Sequence, residues 1–504
     1  MFNFLNRLAK KYSKELFSIG ILVVVIISCF FRFWNYLNRW GLAYDQAQFA
    51  TVARYAHETS QIPLLGPFSS GGPFQTGGEW YWIVMMGTII APNFLLSPWV
   101  FNSLLTVLGV VIMILVGTIY KDKTLGIILG LLIAFSPAQI YQSTNLTNQT
   151  PIALFSALSL LFVLLYSRQK KALFIFLAAL SVGFASAVHI QSIALIPFLF
   201  FTLILFRKRI IKSIIFVLAG LAIPWIPVLI ADFQNNFYNT TAMLTYFSND
   251  QAKTSYDVLG RRWLTFLTEF IPNVWGQISG GNIVAGFILI IISGILFGYK
   301  FVKKKISKEV FLIFISLAAM FVIMRYIRTP LFESFYVFIH PFVIFITGWV
   351  IYFIYKKNKI LGFFSLSLVL LFSFISFWQP INNSTNNTFT QVSELKNILY
   401  ERYPNEKFSI YDYDSNNTST SMSLVLVLYL DNRTSNEGKK IGAYRLTKDS
   451  SFVFDTPPLY GYFGGLQLYD ISASESSRLV ELGWDNQDPE TVYNRTQFWF
   501  KDDK

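Results

Sequence analysis

Charge is scarce in this sequence. Only 14% of the 504 residues are Asp, Glu, Lys or Arg, against about a quarter in a soluble domain. That shortage excludes an ordinary water-soluble fold, because 54% hydrophobic residues could not be covered by so little polar surface. Cysteine is nearly absent: Cys29 stands alone, so no intramolecular disulfide can form and cysteine says nothing about compartment. Acid is short in one region. Before residue 380 there are 11 Asp or Glu against 29 Lys or Arg, a net of +18; from Pro380 onward there are 17 acids and 12 bases, a net of −5. No internal repeat is present, and no cleavable signal peptide is needed when the first apolar helix is an anchor.

What the sequence has in abundance is long apolar runs. About 20 such residues suffice to cross a hydrocarbon core as a helix, and crossings are expected near 17–36, 99–120, 124–140, 151–167, 171–187, 189–206, 212–231, 282–301, 309–327, 334–355 and 359–378. The run Trp80–Leu96 is ambiguous, with Gly87, Pro92 and Asn93 inside it. Loop charge decides the matter, since cytoplasmic loops carry the Lys/Arg excess. If 80–96 lies in the interface, 21 of the 29 basic residues fall on the cytoplasmic side, among them Lys121, Lys208, Lys304 and Lys357. If it crosses, only the four N-terminal ones remain there. The expected chain is an α-helical polytopic membrane protein with about 11 transmembrane helices, its N-terminus in the cytoplasm and its C-terminus outside. The basic excess is then mostly an orientation signal, which argues against nucleic acid as a partner.

Residues 1–380 form the expected membrane domain, with outer loops 37–98 and 232–281. Residues 381–504 form a small extracytoplasmic α+β domain behind the polar linker Asn382–Thr390, with β-rich runs at Phe408–Tyr413, Ser423–Leu430 and Thr496–Phe500. Asn-x-Ser/Thr sequons such as Asn239, Asn432 and Asn494 are what chance supplies in a chain rich in Asn and Thr.

Chemistry needs ionisable groups, and the outer face has few. Asp45 follows the first crossing and opens a helical pattern, so it is either a first-turn or capping residue at the positive helix end, or a catalytic acid or base. Leu64–Pro73 is a glycine-rich turn whose N–H groups could approach a phosphate. Glu79 precedes Trp80-Tyr81-Trp82, which reads as an interfacial belt or a wall for a sugar ring. Arg54, Arg261, Arg262, Arg325 and Arg328 are the outer cations placed to meet a lipid phosphate, and Arg39 reads as a snorkelling interfacial residue. His189 and His340 are lone histidines, more often structural than ligands.

Tyr44-Asp45-Gln46-Ala47 with Ala53-Arg54, Leu64-Leu65-Gly66-Pro67, Gly78-Glu79-Trp80-Tyr81, Ser136-Pro137 before a polar 141–150 loop, and Pro151 opening the next helix resemble the GT-C membrane glycosyltransferases. The nearest branch is the dolichyl-phosphate-mannose–protein mannosyltransferases and their bacterial relatives, including the lipid A aminoarabinose transferase. The resemblance covers residues 20–350. It implies a polyprenyl-phosphate-linked sugar as donor, a lipid, glycan or protein acceptor, and catalysis at Asp45 on the outer face of the cell membrane. Two positions depart from the family pattern. Gln46 stands where many members have Glu, and Asn148, beside Asn145 and Gln149, stands where many have a second acid. An amide neither takes a proton as a base nor gives a metal negative charge, so a two-acid divalent-metal site loses its basis while a single base at Asp45 survives, with Gln46 and Asn148 positioning substrate.

Other readings stay open. A transporter or flippase would show repeats and polar, broken helices at mid-membrane, whereas here the polar groups cluster at one face. An assembly factor would need far fewer crossings as an anchor. A polymerase or ligase of polyprenyl-linked glycans is not separable by residue type.

Overall fold

The computed structural model describes residues 13–39, 41–69, 74–206, 210–248, 263–326, 333–384, 388–412, 421–445, 459–461, 466–472 and 485–498. Helices dominate. The first expected crossing is α1 (Ser13–Phe33), followed by α2 (Tyr44–Glu58), the hairpin β1 (Leu65–Phe68) and β2 (Gln75–Gly77), and α3 (Glu79–Ile90). Twelve residues of α3 rise about 18 Å, well short of a hydrocarbon core of about 30 Å. Then come α4 (Ser97–Tyr120), α5 (Lys123–Ala134), α6 (Pro137–Ser143), α7 (Ile152–Gln169), α8 (Ala172–Val188), α9 (Ile196–Leu205), α10 (Ile210–Ala222), α11 (Ile226–Gln234) and α12 (Tyr238–Ser248). The membrane part closes with α13 (Ile271–Ile278), α14 (Ile283–Val302), α15 (Lys308–Arg325), α16 (His340–Lys357) and α17 (Lys359–Asn382).

Every expected apolar run falls on a helix or a broken pair of helices. Among the described residues seven helices are long and apolar enough to cross a membrane, or eight if the pair α5 and α6, bent by 59° at Ser136-Pro137, is one span. Caps set the helix starts: Asp122, Asn282, Ser307 and Asn358 each accept a backbone N–H of the first turn. The central helix is α16, buried along most of its length, while α1, α14 and α17 expose Leu22, Ile26, Ile288, Ile295, Phe363 and Ile375. An apolar face of that extent is stable against lipid and not against water. The chain is an integral membrane protein. Backbones touch where α4 meets α5: a Cβ on Gly117 would lie 2.7 Å from the Gly126 Cα, the small-residue packing expected where lipid removes the hydrophobic drive between helices.

The tail adds α18 (Phe389–Arg402), β3 (Phe408–Asp412), α19 (Ser421–Leu430), β4 (Lys439–Arg445), β5 (Tyr460–Gly461), β6 (Leu466–Asp470), β7 (Asp485–Asn486) and α20 (Pro489–Phe498). Its strands form one sheet in the order β5-β6-β4-β3-β7, with β3 parallel to β4 and the remaining pairs antiparallel. Residue 408 does begin a strand. The run 423–430 is instead helical, and Thr496–Phe498 ends a helix. The reason is burial on all sides: Met422, Ser423, Leu424, Val425, Leu426, Val427 and Leu428 are consecutive and buried, so the run has no alternating face to mark it as a strand. These residues share one core with Ala47, Val52, Ala56, Trp80 and Tyr81. The tail therefore packs directly on α2 and α3.

Candidate functional site

The start of α2 is built by an unusual density of buried amides. Its N-cap position is Ala43, so Asp45 is not the cap; it is the second residue of the first turn, and it is exposed. Gln46 points the other way and is 2% exposed. Its Nε2 donates to Asn145 Oδ1 at 2.7 Å, and Asn102 Nδ2 donates to the Asn145 carbonyl at 3.2 Å. Asn148 Nδ2 donates to the Val188 carbonyl at 2.9 Å, which places the 144–151 loop against the last turn of α8 and so beside His189. Trp99 Nε1 reaches the Gly41 carbonyl at 2.5 Å, fixing the approach to α2. The structure thus brings Asp45, Gln46, Asn145, Asn148 and the His189 backbone to one end of the helices. The His189 ring itself is buried, 5.5 Å from the Phe335 ring.

Glu79 opens α3 at 2% exposure. Beyond its own backbone N–H its carboxylate has no hydrogen-bond partner among the described residues. A Cβ on Gly77 would overlap Glu79 Oε2 and would lie 3.2 Å from the Ala187 carbonyl, so the acid is set between the hairpin and the end of α8. Burial raises its pKa to about 7. Two residues on, Tyr81 is fully buried, and burial, with the nearby Asp45 charge as a smaller cause, pushes its hydroxyl pKa up. Trp80 and Tyr81 are core residues under Phe49, with ring centroids 5.9 and 6.1 Å away. They form neither an interfacial belt nor a sugar-stacking wall, because the tail covers them.

The glycine-rich turn is the β1–β2 hairpin, and its tip, 70–73, lies outside the described residues. Its flanks are held from two sides. Gln497 Oε1 accepts from the Leu64 and Leu65 N–H groups at 3.1 and 3.2 Å, and its Nε2 donates to the Leu65 carbonyl at 2.8 Å. Asn239 pairs with the Gln75 backbone in the same way, at 2.7 and 3.2 Å. Both ends of the Asn239 amide are thus engaged and the side chain is buried, which argues against a glycan there. Asp232 in turn accepts the Asn239 and Thr240 N–H groups that begin α12.

The cations divide. Arg54 sits nine residues after Asp45, about half a turn out of phase and roughly 13 Å along the axis. Its guanidinium pairs with Glu58 at 2.9 Å, donates to the Pro92 carbonyl at 2.6 Å and lies 5.6 Å from the Tyr429 ring. The structure does not bring it to Asp45. Arg325 is 4% exposed at the end of α15, its guanidinium 5.2 Å from Trp263 and 5.8 Å from Phe266. Arg261, Arg262 and Arg328 lie outside the described residues. Arg39 is no snorkelling residue: it is buried and donates to the Phe31, Arg32 and Ile140 carbonyls at 3.2, 2.8 and 2.7 Å, closing the end of α1. Sequence reading passed over Arg32, also fully buried, which binds Thr106 across the bundle and Ser28 one turn back on α1; an arginine inside an apolar run was its only signal. It likewise passed over Asn102 and Gln497, which carry no motif. His340 Nδ1 lies 2.6 Å from Gln139 Nε2 in the interior, a structural contact.

At the Asn148 position, then, the side chain is a neutral amide already donating to a backbone carbonyl. That donor set does not fit a two-acid metal centre, and among the described residues no three His, Cys, Asp or Glu gather as metal ligands.

No family model and no curated protein matches the sequence. Solved structures do match the architecture. ArnT from Cupriavidus metallidurans in the apo state superposes with a TM-score of 0.58 at 12% identity, over 87% of this chain and 93% of that one. The same protein bound to undecaprenyl phosphate gives 0.56 at 11%, over 85% and 92%. The Archaeoglobus fulgidus oligosaccharyltransferase, tethered to an acceptor peptide containing the NVT sequon, gives 0.51 at 15%, over 78% of this chain and 58% of its own. The chain has the fold of the GT-C membrane glycosyltransferases, the superfamily its ordered sequence blocks resemble.

Proposed function

We propose that the chain is an inverting glycosyltransferase that moves a hexosyl or pentosyl residue from a polyprenyl phosphate to an acceptor hydroxyl, with Asp45 as general base. The observation that carries this reading is an exposed carboxylate in the first turn of α2, at the end of the helices where buried acceptor atoms, Gln46 Oε1, Asn102 Oδ1 and, beyond its own N–H, the Glu79 carboxylate, have no partner within the described residues. Leaving such atoms unpaired costs about 1–3 kcal/mol each, a cost a fold keeps where a ligand binds. The fold shared with a protein bound to undecaprenyl phosphate supports the donor class. In this mechanism Asp45 takes the hydroxyl proton as its oxygen attacks the anomeric carbon. The bond to the phosphate breaks on the opposite face, and the lipid phosphate leaves as an anion that needs cations more than a proton. Gln46, Asn148 and Glu79 position the sugar, and the backbone at His189 borders the site while its ring stays packed against Phe335. Arg325 is the described cation assigned to the lipid phosphate in this reading, with Arg261, Arg262 and Arg328 as further candidates.

The test is Asp45→Asn in the purified full-length protein, with radiolabelled polyprenyl-phosphate sugars as donors. Turnover should drop about a hundredfold to ten-thousandfold while donor binding stays within a few fold. Parental turnover would return Asp45 to a purely structural first-turn role.

A further inference from the structure

At the opposite end of the bundle, about 36 Å along α4 from its first residue, the helices enclose a second polar site. A cavity of about 500 Å³ is lined there by Lys121, Lys300, Lys305 and Lys356, with Asp122 the one acid in its lining. That acid is already neutralised. Lys356 Nζ lies 3.1 Å from Asp122 Oδ2, the Tyr352 hydroxyl donates to the same carboxylate, and Asp122 also caps α5 through the Leu125 N–H.

Three positive charges remain. Lys121, Lys300 and Lys305 have no acidic partner among the described residues, and Lys300 feels the charges of Lys121, Lys305 and Lys357. Its Nζ sits 4.5 Å over the Phe353 ring. The α15 N-terminus adds to the same field: Ser307 lines the cavity, capping the Val310 N–H and lying 3.0 Å from the Tyr120 hydroxyl. Like charges held this close are unfavourable until an anion enters. The chemistry of the surroundings narrows which anion. The wall carries Trp349 and Phe353, and α14, which supplies Lys300, exposes Ile291, Ile295, Tyr299 and Val302 along the face it turns outward.

We propose that this cavity binds the phosphate of an anionic glycerophospholipid, with the lysines around the head group and the acyl chains along the apolar face of α14. The site is separate from the transfer site at Asp45 and does not depend on the proposed reaction.

The full chain in nanodiscs of phosphatidylcholine, with and without phosphatidylglycerol, tests it by thermal midpoint and by native mass spectrometry of retained lipid. Phosphatidylglycerol should raise the midpoint and remain bound at one copy, whereas inorganic phosphate should not reproduce the shift. Each of Lys121→Gln, Lys300→Gln and Lys305→Gln should weaken retention about fivefold, and the arginine replacements at the same positions should keep it. Lys305 is exposed, so Lys305→Gln carries the test if Lys121→Gln or Lys300→Gln does not fold. Retention unchanged by Lys305→Gln, equal stabilisation by phosphatidylcholine alone, or full stabilisation by inorganic phosphate would each overturn the assignment.

Discussion

Glu79 shows what a single buried carboxylate does to this protein. Its pKa rises from 4.5 to about 7 through burial, so between those values the folded state binds a proton that the unfolded chain releases. The resulting stability is full below about pH 4.5 and is lost as pH climbs through 7. The full difference is about 3 kcal/mol at 1.36 kcal/mol per unit. Glu79→Gln should therefore flatten the fall in thermal midpoint between pH 5 and 8 and leave the variant more stable than the parent at pH 8. An unchanged slope would mean that another group titrates. Asn148→Ala removes a hydrogen bond to Val188 and no proton acceptor, so its loss of turnover should stay well below that of Asp45→Asn. Asp45, Gln46 and Asn148 could be picked out in the sequence because they stand in ordered motifs. Asn145 stood out only as a neighbour of Asn148, and Asn102 did not stand out at all, since an amide on a helix has no signature until a partner faces it.

The β1–β2 hairpin is the element whose role depends most on distant chain. Gln497, more than 430 residues away in sequence, imitates a neighbouring strand with three hydrogen bonds. Gln497→Ala would leave two N–H groups and a carbonyl unpaired, at about 1–3 kcal/mol per group left buried. Limited proteolysis should then cut the hairpin faster while circular dichroism keeps the helical signal; equal cleavage would show that Asn239 alone holds it. At the α4–α5 contact, Gly117→Val places side-chain atoms in the Gly126 backbone and should cost about 1–3 kcal/mol of overpacking, seen as a lower thermal midpoint in detergent. The helical run 421–430 marks the limit of pattern reading. An apolar segment buried on every side has no period, so only its neighbours decide between helix and strand.

For the whole molecule the open expectation is orientation. A single cysteine at Lys121 or Lys304 in a Cys29→Ser background should resist an impermeant thiol reagent added outside intact cells, and one at Thr59, at the exposed end of α2, should react. Labelling at Lys304 would reverse the topology expected from loop charge. Composition and run length alone determined that this chain is a helical membrane protein, because a hydrocarbon core accepts only segments that satisfy their own backbone and spend almost no charge. The order of short motifs around Asp45 was enough to suggest the GT-C architecture. Only the tertiary structure decided which polar groups share a site: that Arg54 faces away from Asp45 and is spent on Glu58 and Pro92, that Glu79 is buried against Gly77, and that the tail covers Trp80 and Tyr81. Such facts depend on contacts between segments tens to hundreds of residues apart, and a local pattern carries no information about which side chain will lie across from it.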